Sequence, residues 1–171
     1  DTPEGFGTYY YNTGDSSRGE FKDGILISEF QIYTWNNGDI FEGNWNGNGI
    51  FIENNGSYFE GEFLNGKLNG QGIATYAGGD VYIGQFQNNS HHGYGIYTYA
   101  EGDVYEGEFK NVKHGFGTYT EMDGSIYVGS YKNGMRHGYG EFTSKDNDYP
   151  NYKGNYQFDL RSGQGYEWYP D

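Results

Sequence analysis

The sequence predicts an all-β chain built of stacked hairpins, and three observations point there. Six segments copy one pattern: Phe41-Glu42-Gly43-Asn44-Trp45, Phe59-Glu60-Gly61-Glu62-Phe63, Tyr82-Ile83-Gly84-Gln85-Phe86, Tyr105-Glu106-Gly107-Glu108-Phe109, Tyr127-Val128-Gly129-Ser130-Tyr131 and Tyr152-Lys153-Gly154-Asn155-Tyr156. The central glycines Gly61, Gly84, Gly107 and Gly129 stand 23, 23 and 22 residues apart, and a fixed period in that range marks a repeat architecture. Glycine (31 residues) and aromatics (20%) are both in excess, and the glycines recur at set places beside the aromatics. That is the composition of an ordered repeat, not of a low-complexity tract. Such repeats bury each face only against their neighbours along one axis, so the expected product is elongated, with a long surface for binding.

Within one repeat each segment has a physical reading. Tyr82-Ile83-Gly84-Gln85-Phe86 alternates as a strand does, placing Tyr82, Gly84 and Phe86 on one face and Ile83 and Gln85 on the other. Gln87-Asn88-Asn89-Ser90 is a polar turn. Gly93-Tyr94-Gly95-Ile96-Tyr97-Thr98-Tyr99 resumes a strand of β-branched and aromatic residues. Glu101-Gly102-Asp103 turns the chain into the next copy, so the unit is a β-hairpin. Glycine weakens a strand interior, and its expected role here is to leave room for an aromatic lying across the bare backbone. A three-residue turn would set Tyr97 opposite Gly107; a two-residue turn would shift that register.

Spacing separates constant from variable parts. The interval from the first Gly of a Gly-x-Gly to the next Tyr-x-Gly glycine is 14 residues at Gly5–Gly19, Gly47–Gly61, Gly70–Gly84, Gly93–Gly107 and Gly115–Gly129. The other arm varies, from 9 residues at Gly84–Gly93 to 8 at Gly107–Gly115 and 4 at Gly43–Gly47, as an exposed turn tolerates. Ser17-Arg18-Gly19 lacks its leading aromatic, and Glu29 and Gln31 stand where Gly-x-Gly is expected. The chain therefore reads as one array over 1–171 of about seven repeats, irregular over 1–57 and regular over 58–171. It opens in mid-repeat, because Glu4-Gly5-Phe6-Gly7 matches His114-Gly115-Phe116-Gly117; either a strand precedes Asp1 or this edge is a frayed cap.

Bulk charge narrows the partners. The net charge of −14 repels phosphate backbones and anionic headgroups, so neither nucleic acid nor direct anionic-membrane binding is expected. Without cysteine there are no disulfides and no thiolate metal sites. His92, His114 and His137 each precede a Gly-x-Gly. Equivalent positions two strands on lie about 10 Å apart, too far to share one ion, so these read as turn residues bonding local backbone. Glu60/Glu62 and Glu106/Glu108 sit two apart on a strand face, but the same places hold Ile83/Gln85 and Lys153/Asn155 in other copies. A catalytic pair needs one constellation in a pocket, whereas this is a repeating solvated face. No catalytic residue, metal or cofactor is expected. Asp15, Asp39, Asp80 and Asp103 follow glycine in turns where Asp bonds its own backbone.

The aromatics must first build the sheet, but one layer cannot cover both of its faces. Some of Tyr33, Trp45, Phe63, Phe86, Tyr97, Phe109, Tyr119 and Tyr131 are therefore expected to stay partly exposed. Together with the flanking Glu106 and Glu108 they form the candidate partner-binding set, since an exposed aromatic patch rimmed by acids marks a partner surface.

The pattern Tyr-x-Gly-x-[Phe/Tyr/Trp], polar turn, Gly-x-Gly, aromatic strand and Gly-Asp/Ser turn resembles the MORN repeat (membrane occupation and recognition nexus) over essentially the whole chain. Glu106-Gly107-Glu108-Phe109 followed by Lys113-His114-Gly115-Phe116-Gly117 carries the likeness best. The resemblance implies a single, elongated, twisted antiparallel sheet of stacked hairpins with an aromatic groove. It also implies a scaffold for proteins at cytoskeleton, cilium or membrane periphery in the cytoplasm. The expected function is a non-enzymatic interaction scaffold that binds a partner protein, a basic amphipathic helix laid along an acidic aromatic groove. Alternatives are the targeting module of a larger enzyme or a phospholipid-binding membrane adaptor. Self-association through the last repeat is also expected, because Tyr166-Glu167-Trp168-Tyr169 would leave a sheet edge unpaired.

Overall fold

The computed structural model describes residues 2–169; Asp1, Pro170 and Asp171 lie outside the described residues. All regular structure among the described residues is β, in sixteen strands, and no helix occurs. Two compact units form: residues up to 77 with 87–89, and residues 78–86 with those from 90 onward. The first holds β1 (Gly5–Tyr10), β2 (Ser16–Lys22), β3 (Ile25–Leu26), β4 (Gln31–Thr34), β5 (Ile40–Gly43), β6 (Asn48–Ile52), β7 (Tyr58–Leu64) and β8 (Lys67–Thr75). They pair antiparallel in the order β1-β2-β4-β5-β6-β7-β8, with the short β3 folded onto β2. The second holds β9 (Val81–Gln87), β10 (Ser90–Thr98), β11 (Val104–Lys110), β12 (Val112–Thr120), β13 (Ile126–Lys132), β14 (Met135–Thr143), β15 (Asn151–Gln157) and β16 (Leu160–Trp168), paired in chain order. Each unit is thus an antiparallel sheet of consecutive hairpins, as the repeat pattern predicts.

The hairpin tips follow local sequence. Asn65-Gly66 and Asn133-Gly134 are two-residue loops with both φ positive, the turn whose twist matches its flanking strands. Asn111 alone bridges Lys110 and Val112, which accounts for the one-residue shortening between Gly107 and Gly115. The opposite connections are constant: Tyr99 N–H donates to Asp103 O and Gly102 N–H to Tyr99 O, each at 2.9 Å. The loops at Trp35–Asp39 and Glu121–Ser125 repeat these bonds.

The register departs from both turn alternatives drawn from sequence. Five residues separate Thr98 from Val104, so glycine meets glycine and tyrosine meets tyrosine: Gly95↔Gly107 and Tyr97↔Tyr105. The reason is steric. Tyr105 lies flat over both Gly107 and Gly117, and a Cβ on Gly107 would stand 2.6 Å from the Gly117 Cα and 2.7 Å from the Tyr105 hydroxyl. Tyr82, Tyr127 and Tyr152 cover their own glycine pairs in the same way. The covering ring stands two residues back on the same strand for Gly107 and on the neighbouring strand for Gly117. Its hydroxyl donates to the carbonyl three residues on, Tyr105 to Glu108 at 3.0 Å and Tyr82 to Gln85 at 2.9 Å.

That carbonyl is reachable because the ladder slips at Gly107/Glu108, with like slips at Gly61/Phe63, Gly129/Tyr131 and Gly154/Asn155. A bulge of this kind bends a strand and re-aims its side chains. The first glycine of the motif supplies the conformation: Gly115 has φ +58, and the Glu108 carboxylate folds beside it to accept the Phe116 N–H at 3.0 Å. One glycine of the pair makes the bend; the other makes room for the ring.

Candidate partner-binding face

Alternation sorts each strand onto two faces. In β11, Tyr105, Gly107 and Phe109 are buried, while Glu106, Glu108 and Lys110 are exposed. The buried rings of the second unit meet edge to face: Tyr82–Phe109, Tyr105–Phe109, Tyr105–Tyr131, Tyr127–Tyr131 and Tyr127–Tyr156 all lie 5.0–5.3 Å apart at 78–88°. That geometry is the favoured one for aromatic pairs. It accounts for Phe86, Phe109 and Tyr131, which are buried packing residues, as Phe63 is in the first unit.

Four of the eight candidate rings remain half-buried: Tyr33, Trp45, Tyr97 and Tyr119. In the first unit Tyr33, Trp35 and Trp45 cluster at 4.7–6.3 Å, and Trp45 stacks on the buried Phe41 at 3.8 Å. In the second, Tyr97 and Tyr99 pack at 4.6 Å, and Tyr119 lies 5.8 Å from Tyr99. Glu106 and Glu108 do not join these rings. They point from the reverse face, where Glu106 accepts from the Tyr94 hydroxyl at 2.9 Å. That reverse face also carries Tyr94, Phe116 and Tyr139, each 55–57% exposed, from the middle of successive Gly-x-Gly motifs.

The turn aspartates correct the sequence reading. The backbone carbonyls of Asp15, Asp39 and Asp103 close their own turns, while the carboxylates of all four join consecutive repeats. Asp15, Asp39, Asp80 and Asp103 accept the N–H of Asn36, Asn54, Ala100 and Met122 at 2.8–2.9 Å. Three also accept a ring hydroxyl one repeat on: Tyr33 to Asp15 at 3.0 Å, and Tyr97 to Asp80 and Tyr119 to Asp103 at 2.5 Å. Stacked turns bring the next repeat's amide within reach of each carboxylate, and Asp39 also accepts from the Asn37 side chain of its own turn at 2.8 Å. These bonds hold Asp15 and Asp80 below the usual carboxylate range, through the Asn36 amide and the Tyr97 hydroxyl respectively. The imidazoles of His92, His114 and His137 make no backbone hydrogen bond among the described residues, contrary to expectation; His137 packs edge-on against Phe158.

Sequence reading missed a series of side chains two positions before each Gly-x-Gly. Leu68 faces Phe63, Lys113 faces Phe109, Arg136 faces Tyr131 and Arg161 faces Tyr156, while His91 packs beside Phe86 at 5.5 Å. All stand on the ring face. Lys113 Nζ lies 4.4 Å from the Tyr119 ring centre and 5.4–5.8 Å from those of Tyr131, Tyr105 and Tyr99. Arg136 lies over Tyr127 and Tyr156, and Arg161 over Tyr152. The legible signal was Lys-His-Gly, Arg-His-Gly and Arg-Ser-Gly, read for histidine when the preceding cation mattered more.

Two pH responses follow. Burial lowers the His91 pKa from 6.5 to about 4, where its ring stacks on Tyr82 at 3.9 Å. A depressed value favours the neutral folded form, so its contribution is complete above pH 6.5 and is lost as pH falls toward 4. Urea midpoints are expected to drop over that window, and less so in His91→Leu, which copies Leu68. At the other extreme, burial raises Tyr105, Tyr119, Tyr127 and Tyr131. Raised values favour the neutral folded form below the unfolded pKa of about 10, and that contribution is lost as pH rises beyond it. Phenolate absorbance should therefore appear together with loss of near-UV circular dichroism, not before it.

The MORN-repeat family model matches residues 1–16, 59–81, 82–104, 105–126, 127–149 and 152–171, more than half of the sequence. The chain belongs to the MORN-repeat family. No curated protein matches it. Among solved structures it is similar to the TCP domain of SAS-4 (dCPAP) from Drosophila melanogaster, in complex with a proline-rich motif of Ana2. That match has 14% identity and a TM-score of 0.49, over 78% of this chain and 74% of that one. It is also similar to the G-box domain of the microcephaly protein CPAP, at 15% identity and TM-score 0.42, over 98% and 100%. Likeness at this level says nothing of what this chain binds.

Proposed function

We propose that this chain is a non-catalytic protein-interaction scaffold whose ring face receives an amphipathic helix of a partner protein. One observation carries the reading. Within each unit the ring face belongs to a sheet with no second layer among the described residues, yet it keeps half-buried Tyr and Trp side chains in a row. Rigid aromatic side chains of this kind are the usual anchors of an interface. The turn carboxylates along its edge suit Lys and Arg on the partner's flanks. Placement at the cytoskeleton, a cilium or the membrane periphery belongs to the same proposal.

The test is a labelled helical peptide with leucines on one face and lysines on the other, followed by fluorescence anisotropy. Trp45→Ala and Tyr97→Ala are each expected to weaken it by about 1–2 kcal/mol while near-UV dichroism is kept. Phe86→Ala tests the fold instead, because that ring is buried. Peptide affinity unchanged by the ring deletions would overturn the reading, as would strong flotation with phosphoinositide vesicles at physiological salt. A second copy is a further partner in this proposal. Among the described residues β16 pairs only with β15, and Tyr166 and Tyr169 are exposed beside it. Sedimentation velocity should show dimers that Tyr166→Lys disperses, since a charge on an edge strand discourages pairing.

A further inference from the structure

The second unit holds a cavity of about 270 Å³ on its ring face, lined by Lys113, Arg136, Tyr119, Tyr131 and the carboxylates of Asp103, Glu121 and Asp159. Its charges are not equally engaged. Asp103 accepts the Tyr119 hydroxyl at 2.5 Å and the Met122 amide at 2.8 Å. Asp159 accepts the Arg136 amide at 2.7 Å and lies 3.7 Å from its Nε. Lys113 is different. Its ammonium faces four tyrosine rings, and among the described residues no carboxylate lies within 4.0 Å of it. Ring faces supply attraction to a cation but no acceptor for its three N–H bonds. Burial accordingly lowers the Lys113 pKa, while Asp159 and Asp103 oppose that loss. Glu121, whose carboxylate has no bonded partner among the described residues, is itself shifted upward by burial and by Asp123.

We propose that this cavity seats one carboxylate of the bound partner, a Glu or Asp side chain entering from the contact face of its helix, with Lys113 Nζ as the main donor and Arg136 beside it. The inference rests on the helix-binding reading and deepens it. The edge of the face favours a basic partner, and this one seat within it requires an acid. A phosphate suits the seat less well than a carboxylate: Asp103, Glu121 and Asp159 line the same cavity and oppose every negative charge on a ligand, so a single charge gives Lys113 an acceptor at the least repulsion. The neighbouring repeat has no such seat, because His91 stands at the position of Lys113 and stacks on Tyr82. The acid would therefore fix the register of the helix on the repeats, as a lone polar contact does in other interfaces.

The test uses three leucine-faced, lysine-flanked helical peptides that differ only in holding Glu, Gln or Lys at one central position of the apolar face. On the unaltered chain the Glu peptide is expected to bind about tenfold tighter than the Gln peptide, the effect of one charge-assisted hydrogen-bonded pair. Lys113→Met keeps the stem against the rings and should abolish that preference. Lys113→Arg should retain it, and Lys132→Met, at an exposed residue of β13, should leave it unchanged. Equal affinity for Glu and Gln on the unaltered chain would overturn the seat while leaving helix binding intact, as would a preference that survives Lys113→Met. Failure of all three peptides to bind would overturn the helix reading and the seat together.

Discussion

Tyr105→Ala is expected to destabilise the second unit by about 4 kcal/mol, within the range measured for deleting a large buried ring. Tyr105 is fully buried and covers a pair of glycines that contribute no side chain of their own. Its removal leaves bare backbone beneath a cavity that Phe109 and Tyr131 can fill only by abandoning their edge-to-face contacts. Tyr105→Phe isolates the hydroxyl, which donates to Glu108 O at 3.0 Å, and should cost about 1 kcal/mol. Urea unfolding followed by near-UV dichroism measures both. A loss for Ala no greater than that for Phe would show that the ring is not what closes the sheet.

Gly107→Ala should cost about 3 kcal/mol although its backbone is not strained, because an added Cβ would meet backbone on the partner strand. The informative contrast is Gly7→Ala. Gly7 is the counterpart of Gly117, the glycine that Gly107 pairs with, yet nothing lies within 4 Å of a Cβ built there. The difference traces to strand order. Each covering ring lies over its own glycine and the one on the following strand, as Tyr105 does over Gly107 and Gly117, and among the described residues β1 pairs only with the strand after it, so no such ring reaches Gly7. Gly7→Ala should stay within about 0.5 kcal/mol of the parent. Equal losses at the two sites would mean that the motif is needed for a reason other than room for the ring.

Much of this was legible in the residues themselves. Alternation placed Tyr82, Gly84 and Phe86 on one face, because side-chain direction along a strand is set by the backbone alone. The 23-residue period carried the hairpin stack, and the variable spacing at Gly107–Gly115 marked the tip that one residue, Asn111, closes. Absence of the leading aromatic at Ser17 was equally visible. Glu106 and Glu108 show the limit of such reading. Their alternation put them opposite the rings, yet grouping them with the aromatics required knowing which side of the sheet a partner would meet.

From sequence alone came the repeat, the hairpins, the strand faces and the family, since all rest on local spacing and on side chains within one or two repeats of each other. Tertiary structure decided the rest, because contacts across strands depend on register. The five-residue turn sets Gly95 against Gly107, and the slip after Gly107 on the other side of the strand turns the Tyr105 hydroxyl toward a backbone carbonyl. Stacking of turns gave the Asp80 and Asp103 carboxylates to the next repeat's donors. It also brought Lys113 among four rings drawn from four different strands and loops, an environment no single stretch of sequence contains.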